Sequence, residues 1–246
     1  MFCKTGFIPE ARWEINELSD RKITTNPILQ SLEWGGGQTG IALGEKAHDA
    51  LVRYVGLLAR WNRAYNLTSV RDPIGMVRHH ILDCLVILPH VRGTRLLDVG
   101  TGAGLPGIVL AIARPDLECV LLDGNGKKTR FCKQVAMELG LSNVKVLQLR
   151  AEKYVPEIPF TTMTARAFGP LSVLRGHAAR LLARDGRLLA MKGTMKEIVK
   201  ELDDAPPKGP GGGRHSDFGG PRIVPLHVPN LAAERHLVII EHALTT

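Results

Sequence analysis

With 246 residues, 44% of them hydrophobic, the chain can bury one full core with appendages and needs neither a disulfide nor a metal to fold. Its four cysteines, Cys3, Cys84, Cys119 and Cys132, form no C-x-x-C pair and have no zinc-type histidine spacing, so they read as reduced thiols. No apolar run nears the roughly 20 residues that span a bilayer, and no apolar signal segment follows basic residues; a soluble, cytoplasmic protein is expected, and its net charge of +8 points to a polyanionic partner, nucleic acid first, although 5% aromatic content offers no obvious base-stacking platform.

Residues 1–40 show no sustained period and contain Trp34-Gly-Gly-Gly37, which predicts a poorly ordered extension with at most a short helical piece. Deleting the first 26 residues is expected to leave activity intact. Residues 41–92 read as a helical segment packed on the core. From Gly44, the apolar positions Ala47, Leu51, Tyr54, Val55, Leu58 and Trp61 recur as an amphipathic stripe, expected to lie across a sheet edge. A second helical stretch, Ile74 to Leu88, carries Arg78, His79, His80 and Asp83 and stops near Pro89. Adjacent helical positions point about 100° apart, so His79 and His80 cannot chelate one ion without a third ligand. No metal is expected, and the histidines read as packed or facing RNA.

Residues 93–246 alternate strand and helix. A strand, Arg95-Leu-Leu-Asp98-Val, runs into the turn Gly100-Thr-Gly102-Ala-Gly104-Leu-Pro-Gly107. Ile108 to Ala113 (helix), Cys119 to Asp123 (strand), Lys127 to Leu139 (helix) and Val144 to Leu149 (strand) follow. This βαβαβ order with near-continuous apolar strands predicts an α/β fold: a doubly wound, mostly parallel, Rossmann-like sheet with ligands at the carboxyl ends of its strands. Thr162 to Ala165, Leu188 to Met191 and Leu237 to Glu241 are further strand candidates. Ala205-Pro-Pro-Lys-Gly-Pro-Gly-Gly-Gly213, inside a loop near 203–222, cannot bury a core and is expected to be flexible.

The glycine turn points to a nucleotide-type cofactor, because alternate glycines let backbone N–H groups and the following helix approach a ligand closely. Gly102-Ala-Gly104-Leu-Pro-Gly107 also satisfies G-x-G-x-x-G, a short pattern that equally fits an ordinary strand-to-helix turn. Asp98 decides between ligands. Two residues before the first glycine, a carboxylate repels a pyrophosphate but can hold the ammonium of a methionine moiety, which favours S-adenosylmethionine over NAD. Asp123, ending the next strand about 20 residues later, has the spacing of a ribose-binding acid. Arg150-Ala151-Glu152 ends the third strand, where backbone groups can read an adenine edge and the Glu lies in the same cleft.

At this point the chain closely resembles the bacterial 16S rRNA guanine-N7 methyltransferases, also called glucose-inhibited division protein B. The resemblance covers roughly residues 40–246. It is carried by Trp61-Asn-Arg-Ala-Tyr-Asn-Leu-Thr-Ser-Val70, Arg78-His-His-Ile-Leu-Asp83, Asp98-Val-Gly-Thr-Gly-Ala-Gly-Leu-Pro-Gly107, Arg166-Ala-Phe168, Lys192-Gly193 and Glu234-Arg-His-Leu-Val238, in the family's order. The resemblance implies a class I methyltransferase that moves a methyl group from S-adenosylmethionine to guanine N7 in a small-subunit rRNA hairpin near the decoding centre. It also implies a cofactor pocket that includes Gly100, Leu105, Ala151, Glu152 and Arg166, to which the residue reading adds Asp98, Gly102, Gly104 and Asp123. The partner is then 16S rRNA or the 30S subunit, and the enzyme a monomer.

Guanine N7 carries an unprotonated lone pair, so methyl transfer needs alignment and shielding more than proton removal, and the target base must be unpaired or splayed from RNA's deep groove. Arg166 can hold cofactor, phosphate or base, or form a surface salt bridge. Lys192 and Arg235 resemble the family's basic residues near the cleft; they can bind phosphates or the base O6, or stand as solvated strand-end cations. Two positions depart from the family pattern: Gly124 stands where Ser usually follows the ribose-binding acid, and Thr161 where Asp usually follows Phe160. The glycine-rich 205–221 stretch reads as an insertion. Competing readings are a methyltransferase of the same fold acting on another RNA site or a small molecule, a basic RNA-binding module with a vestigial pocket and, weakest, a dinucleotide enzyme.

Overall fold

The computed structural model describes residues 26–203 and 218–241. The Ala205–Gly213 loop and Cys3 lie outside the described residues. Seven strands, β1 (Arg95–Val99), β2 (Glu118–Asp123), β3 (Val144–Gln148), β4 (Phe160–Arg166), β5 (Leu182–Lys192), β6 (Arg222–Pro225) and β7 (His236–Glu241), form one sheet in the order β3-β2-β1-β4-β5-β7-β6. The first five are parallel, and β7 runs antiparallel between β5 and β6.

Period-two alternation divides the apolar side chains between two cores. Leu96, Cys119, Leu121, Leu189, Leu237 and Ile239 face one side; Leu97, Val99, Val120, Leu122, Met163, Ala165, Leu188, Ala190, Val238 and Ile240 face the other. Burial on both faces explains why these strands read as continuous apolar runs.

The described residues form eight α-helices, α1 (Pro27–Thr39), α2 (Glu45–Tyr65), α3 (Pro73–Met76), α4 (Asp83–Leu85), α5 (Gly107–Ala113), α6 (Gly126–Glu138), α7 (Leu171–Leu181) and α8 (Met195–Asp203), of which α5, α6 and α7 pack directly on the sheet. Helices α7 and α8 seal the second core through Leu171, Leu174, Ala178, Leu181 and Ile198.

The N-terminal region differs from its sequence reading in three ways. Part of the stretch read as an extension forms α1, capped by the Asn26 side chain, which accepts from the Ile28 and Leu29 N–H groups, and ended by Gly40 in the left-handed region. Leu32 of α1 is fully buried, and Gly35 sits where a Cβ would come within 2.4 Å of Leu82. Helix α2 packs on α5 and α6 rather than across a sheet edge. Its Tyr54 stacks near Phe131, with centroids 6.4 Å apart. Between α3 and α4 the backbone widens into a π-helical stretch, Val77–Leu82, so the helix expected over 74–88 is irregular. Such π turns concentrate at functional sites. This one buries His80 and, just beyond it, Asp83.

Candidate functional site

The carboxyl ends of β1, β2, β3 and β4 open into two adjoining cavities of about 350 and 940 Å³. Between them stand Gly100, Lys128 and Ala167, which line both. The glycine turn after β1 builds the wall. Gly100 (φ +68°) has no room for a Cβ, which would lie 2.2 Å from the Phe168 ring, while Gly102 (φ +60°) meets nothing closer than 3.9 Å and leaves its backbone open to a ligand. Buried side chains hold the turn from behind: the Tyr54 hydroxyl donates to the Ala103 carbonyl at 2.7 Å, and the Cys132 thiol to the Gly102 carbonyl at 3.5 Å.

Asp98 turns the other way from its expected role. It is fully buried, lines neither cavity, and accepts from Thr101 Oγ1 (2.6 Å), the Gly107 N–H (2.9 Å) and Thr164 Oγ1 (3.0 Å). Burial raises its carboxyl pKa, against the lowering effect of the Thr101, Gly107 and Thr164 bonds. A direct grip on a methionine ammonium is therefore not what this geometry provides; Asp98 ties the start of α5 to β1. Gly104 also lines neither cavity; a Cβ there would lie 2.3 Å from Ile108, so the glycine serves close packing.

The smaller cavity holds Asp123, Gly124, Arg150, Ala151 and Glu152 together with Leu122, Leu149 and Phe168. Asp123 is pinned through one bond per oxygen, from the Gly102 N–H at 3.0 Å and the Asn125 N–H at 2.8 Å. A carboxylate has about four lone-pair positions, so two remain for ligand hydroxyls. A Cβ at Gly124 would lie 3.3 Å from the Arg150 side chain. Thr161 lies at the far end of β4, where its hydroxyl accepts from the Arg95 N–H and donates to the Arg95 carbonyl. That departure from the family pattern is thus remote from both cavities.

The larger cavity is lined by Leu105, Arg166, Lys192 and Arg235, by His79, His80 and Asp83 from the π turn, and by the 67–70 segment. Asn62 shapes that segment, accepting from the Thr68 N–H and donating to the Val70 carbonyl. Asp83, whose side chain is 4% exposed, accepts from Arg166 Nη1 on one oxygen (3.2 Å) and from Arg235 Nε on the other (3.1 Å). Arg166 is therefore neither free nor a mere surface pair. Lys192 donates to Glu201 of α8 and to the Gly169 carbonyl, at 2.8 and 2.9 Å. His80 lies between the Thr68 hydroxyl (2.7 Å) and the His79 carbonyl (2.8 Å), which assigns its proton to Nδ1. Burial and the neighbouring Arg166 push its pKa down to about 4, so it stays neutral. Among the described residues no His, Cys, Asp and Glu cluster suits a metal ion.

Asp83 carries the largest contribution that sequence reasoning left unassigned. Its place in the Arg78–Asp83 block was visible, but its partners come from 83 and 152 residues further along the chain. Lys128, at the junction of the cavities, had no signal beyond its charge.

A parallel sheet with an antiparallel strand inserted at one side, a glycine turn after β1 and an acid ending β2 define a class I S-adenosylmethionine-dependent methyltransferase. Solved structures agree on the fold: an O-methyltransferase of this type from Thermotoga maritima superposes with a TM-score of 0.52 at 14% identity, over 72% of this chain and 71% of that one. A second, from Aquifex aeolicus, gives 0.52 at 17% identity over 71% and 96%. The family model for rRNA small subunit methyltransferase G, GidB, matches residues 47–207. The ribosomal RNA small subunit methyltransferase G of Alkalilimnicola ehrlichii is 48% identical over 87% of this chain and 92% of its own length, and that of Klebsiella pneumoniae 44% over 83% and 93%. The chain belongs to the rRNA small subunit methyltransferase G family.

Proposed function

We propose that this enzyme transfers a methyl group from S-adenosylmethionine to N7 of a guanine in 16S rRNA, in a hairpin near the decoding centre, acting as a cytoplasmic monomer on rRNA or the 30S subunit. The observation that carries the reading is the pairing of two cavities across one glycine wall: one of nucleoside size, where Asp123 and Glu152 balance Lys128 and Arg150, and a larger one, where Lys128, Arg166, Lys192, Lys200 and Arg235 outnumber Asp83, Glu197 and Glu201.

The residues fit the cofactor. Gly102 leaves open backbone where a Cβ would stand, Asp123 has acceptor capacity for ribose hydroxyls, and Ala151 and Glu152 border the place for the adenine. Asp123 and Glu152 suit a ribose and an adenine edge, which a dinucleotide also has, so the preference for S-adenosylmethionine assigned to Asp98 rests on the family match instead. When bound, S-adenosylmethionine supplies an electrophilic methyl on a sulfonium.

The protein's work is positioning. Arg166 and Arg235 hold the target nucleotide by its phosphate or O6, and Lys128 and Lys200 add charge at the cavity edge. His80, neutral, keeps its one proton on Nδ1, which donates to the His79 carbonyl, and takes none from the substrate. No general base is required, since N7 presents its lone pair directly. Among the described residues no helix is long and apolar enough to cross a membrane, in keeping with a cytoplasmic site of action.

The test is transfer of labelled methyl from S-adenosylmethionine to 16S rRNA, and to 30S particles, from a strain lacking the family enzyme, followed by mapping of the modified base. A single 7-methylguanine in the decoding-region hairpin is expected. Methylation at another atom or site, or cofactor retention without rRNA methylation, would overturn the assignment.

A further inference from the structure

We propose that Asp83 is a positioning residue whose negative charge, shared between Arg166 and Arg235, keeps the base-binding end of the larger cavity from opposing the charge that methylation creates. The inference rests on the guanine-N7 reading above.

The chemistry sets the requirement. As the N7–methyl bond forms and the sulfur–methyl bond breaks, the sulfonium's positive charge passes to the guanine ring, and the sulfur leaves as a neutral thioether. Two guanidiniums beside that ring attract RNA phosphates but repel the developing guaninium. A cavity that grips RNA with cations therefore needs a compensating anion close to them.

Asp83 meets that need. Its side chain is 4% exposed, against 22% and 25% for Arg166 and Arg235, so its charge is poorly screened by water. Each carboxylate oxygen takes one arginine, at 3.2 and 3.1 Å. The three side chains together carry one net positive charge instead of two. Glu197 and Glu201 also line this cavity, but Glu201 is occupied by Lys192 and the Leu171 N–H, and Glu197 by the Thr194 N–H. The irregular turn serves this placement, since Asp83 follows directly on the π-helical Val77–Leu82.

A purely structural role and a charge-balancing role separate in Asp83→Asn, which keeps size and one acceptor oxygen. Loss of arginine placement alone would weaken rRNA binding. Loss of charge balance leaves rRNA affinity unchanged or tighter, because the cavity becomes more positive, while the single-turnover rate of methyl transfer falls about 10-fold or more. The measurement pairs filter retention of 16S rRNA with single-turnover methylation at saturating rRNA, with thermal melting as the fold control. Asp83→Glu, which keeps the anion, is expected to recover at least about a third of the wild-type rate.

Weakened rRNA binding by Asp83→Asn with an undiminished single-turnover rate would overturn the role. So would a loss in Asp83→Glu as large as in Asp83→Asn. Should Asp83→Asn not fold, the Asp83→Glu rate alone decides. Wild-type enzyme that methylates a position other than N7 would instead sink the functional reading, and this inference with it.

Discussion

Two acids at the ends of neighbouring strands look alike in sequence and do different work. Replacing Asp98 by Ala leaves the Thr101 hydroxyl and the Gly107 N–H without their buried acceptor and the Thr164 hydroxyl with the Leu97 carbonyl alone, at about 1–3 kcal/mol for each donor left unsatisfied. Asp98→Ala is thus expected to lower the melting temperature by several degrees and to abolish cofactor retention as the glycine turn loosens. Asp123→Ala should abolish retention with a clearly smaller melting shift, since Asp123 lies at the cavity rim. Equal melting shifts would mean that Asp98 is not the structural member of the pair. Spacing alone showed that both acids stand near the turn, but not which way each side chain points; that depends on the pleat of β1, which turns Asp98 inward against α5. The residue reading names Gly100, Gly102, Asp123, Ala151 and Glu152, and the family resemblance adds Leu105, Arg166, Lys192 and Arg235; all of these line the cavities, whereas Asp83 needed the fold to bring two distant arginines to it.

His80 makes a second prediction at this scale. Its folded pKa, about 4, lies below the ordinary 6.5, so the unfolded chain takes up the proton first as pH falls. The stability from keeping His80 neutral is complete above about pH 6.5 and is lost as pH falls toward 4, by about 2 kcal/mol at pH 5. Urea unfolding at pH 7 and pH 5 should show this loss in the wild type and a reduced one in His80→Gln. An equal loss in the variant would place the sensitivity elsewhere, His90 and His177 being the next groups whose pKa burial lowers.

At the scale of elements, the N-terminal helices act as a brace for the site. Helix α1 lies against the π-helical turn, and α2 reaches the glycine turn through Tyr54. The Trp34-Gly-Gly-Gly37 run hid α1 because glycine is a poor helix former, at about 1 kcal/mol per residue relative to Ala. Here Gly35 and Gly36 are buried, and Gly35 lets the helix approach Leu82 closely. Helix α7 went unread although Leu171, Leu174, Ala178 and Leu181 form a helical stripe. Strand β6 is four residues long and ends in Pro225, too short to show alternation. Deleting residues 1–26 removes the Asn26 cap, worth about 1 kcal/mol, and should leave methylation nearly intact. Deleting residues 1–40 also strips Leu32 from the core, at a cost of about 2–5 kcal/mol or more by analogy with truncation to Ala. The longer deletion should lower both melting temperature and activity; equal activity of the two truncations would show that α1 does not brace the π turn.

For the whole molecule, the sheet gathers both cavities at one end, and the net charge of +8 includes five cations that line the larger one. Lys128, Arg166, Lys200 and Arg235 edge the larger cavity, while in the smaller Asp123 and Glu152 balance Lys128 and Arg150. The two ligands should therefore respond differently to salt. Each phosphate neutralised contributes a slope of about −0.7 to −0.9 in log affinity against log salt. If three of those cations meet phosphates, raising KCl from about 50 to about 200 mM lowers kcat/KM for rRNA roughly 20- to 40-fold. Cofactor retention over the same range should change less than about 3-fold, because no polyanion binds there and no condensed counterions are released. Lys128→Ala should flatten the rRNA slope by a little under one unit and leave the mapped base unchanged, as expected of a side chain that contacts phosphate rather than base. A salt-independent rRNA reaction would mean that the positive charge serves solubility alone. A slope unchanged by Lys128→Ala would move the RNA track away from the junction of the two cavities, toward Arg166 and Arg235.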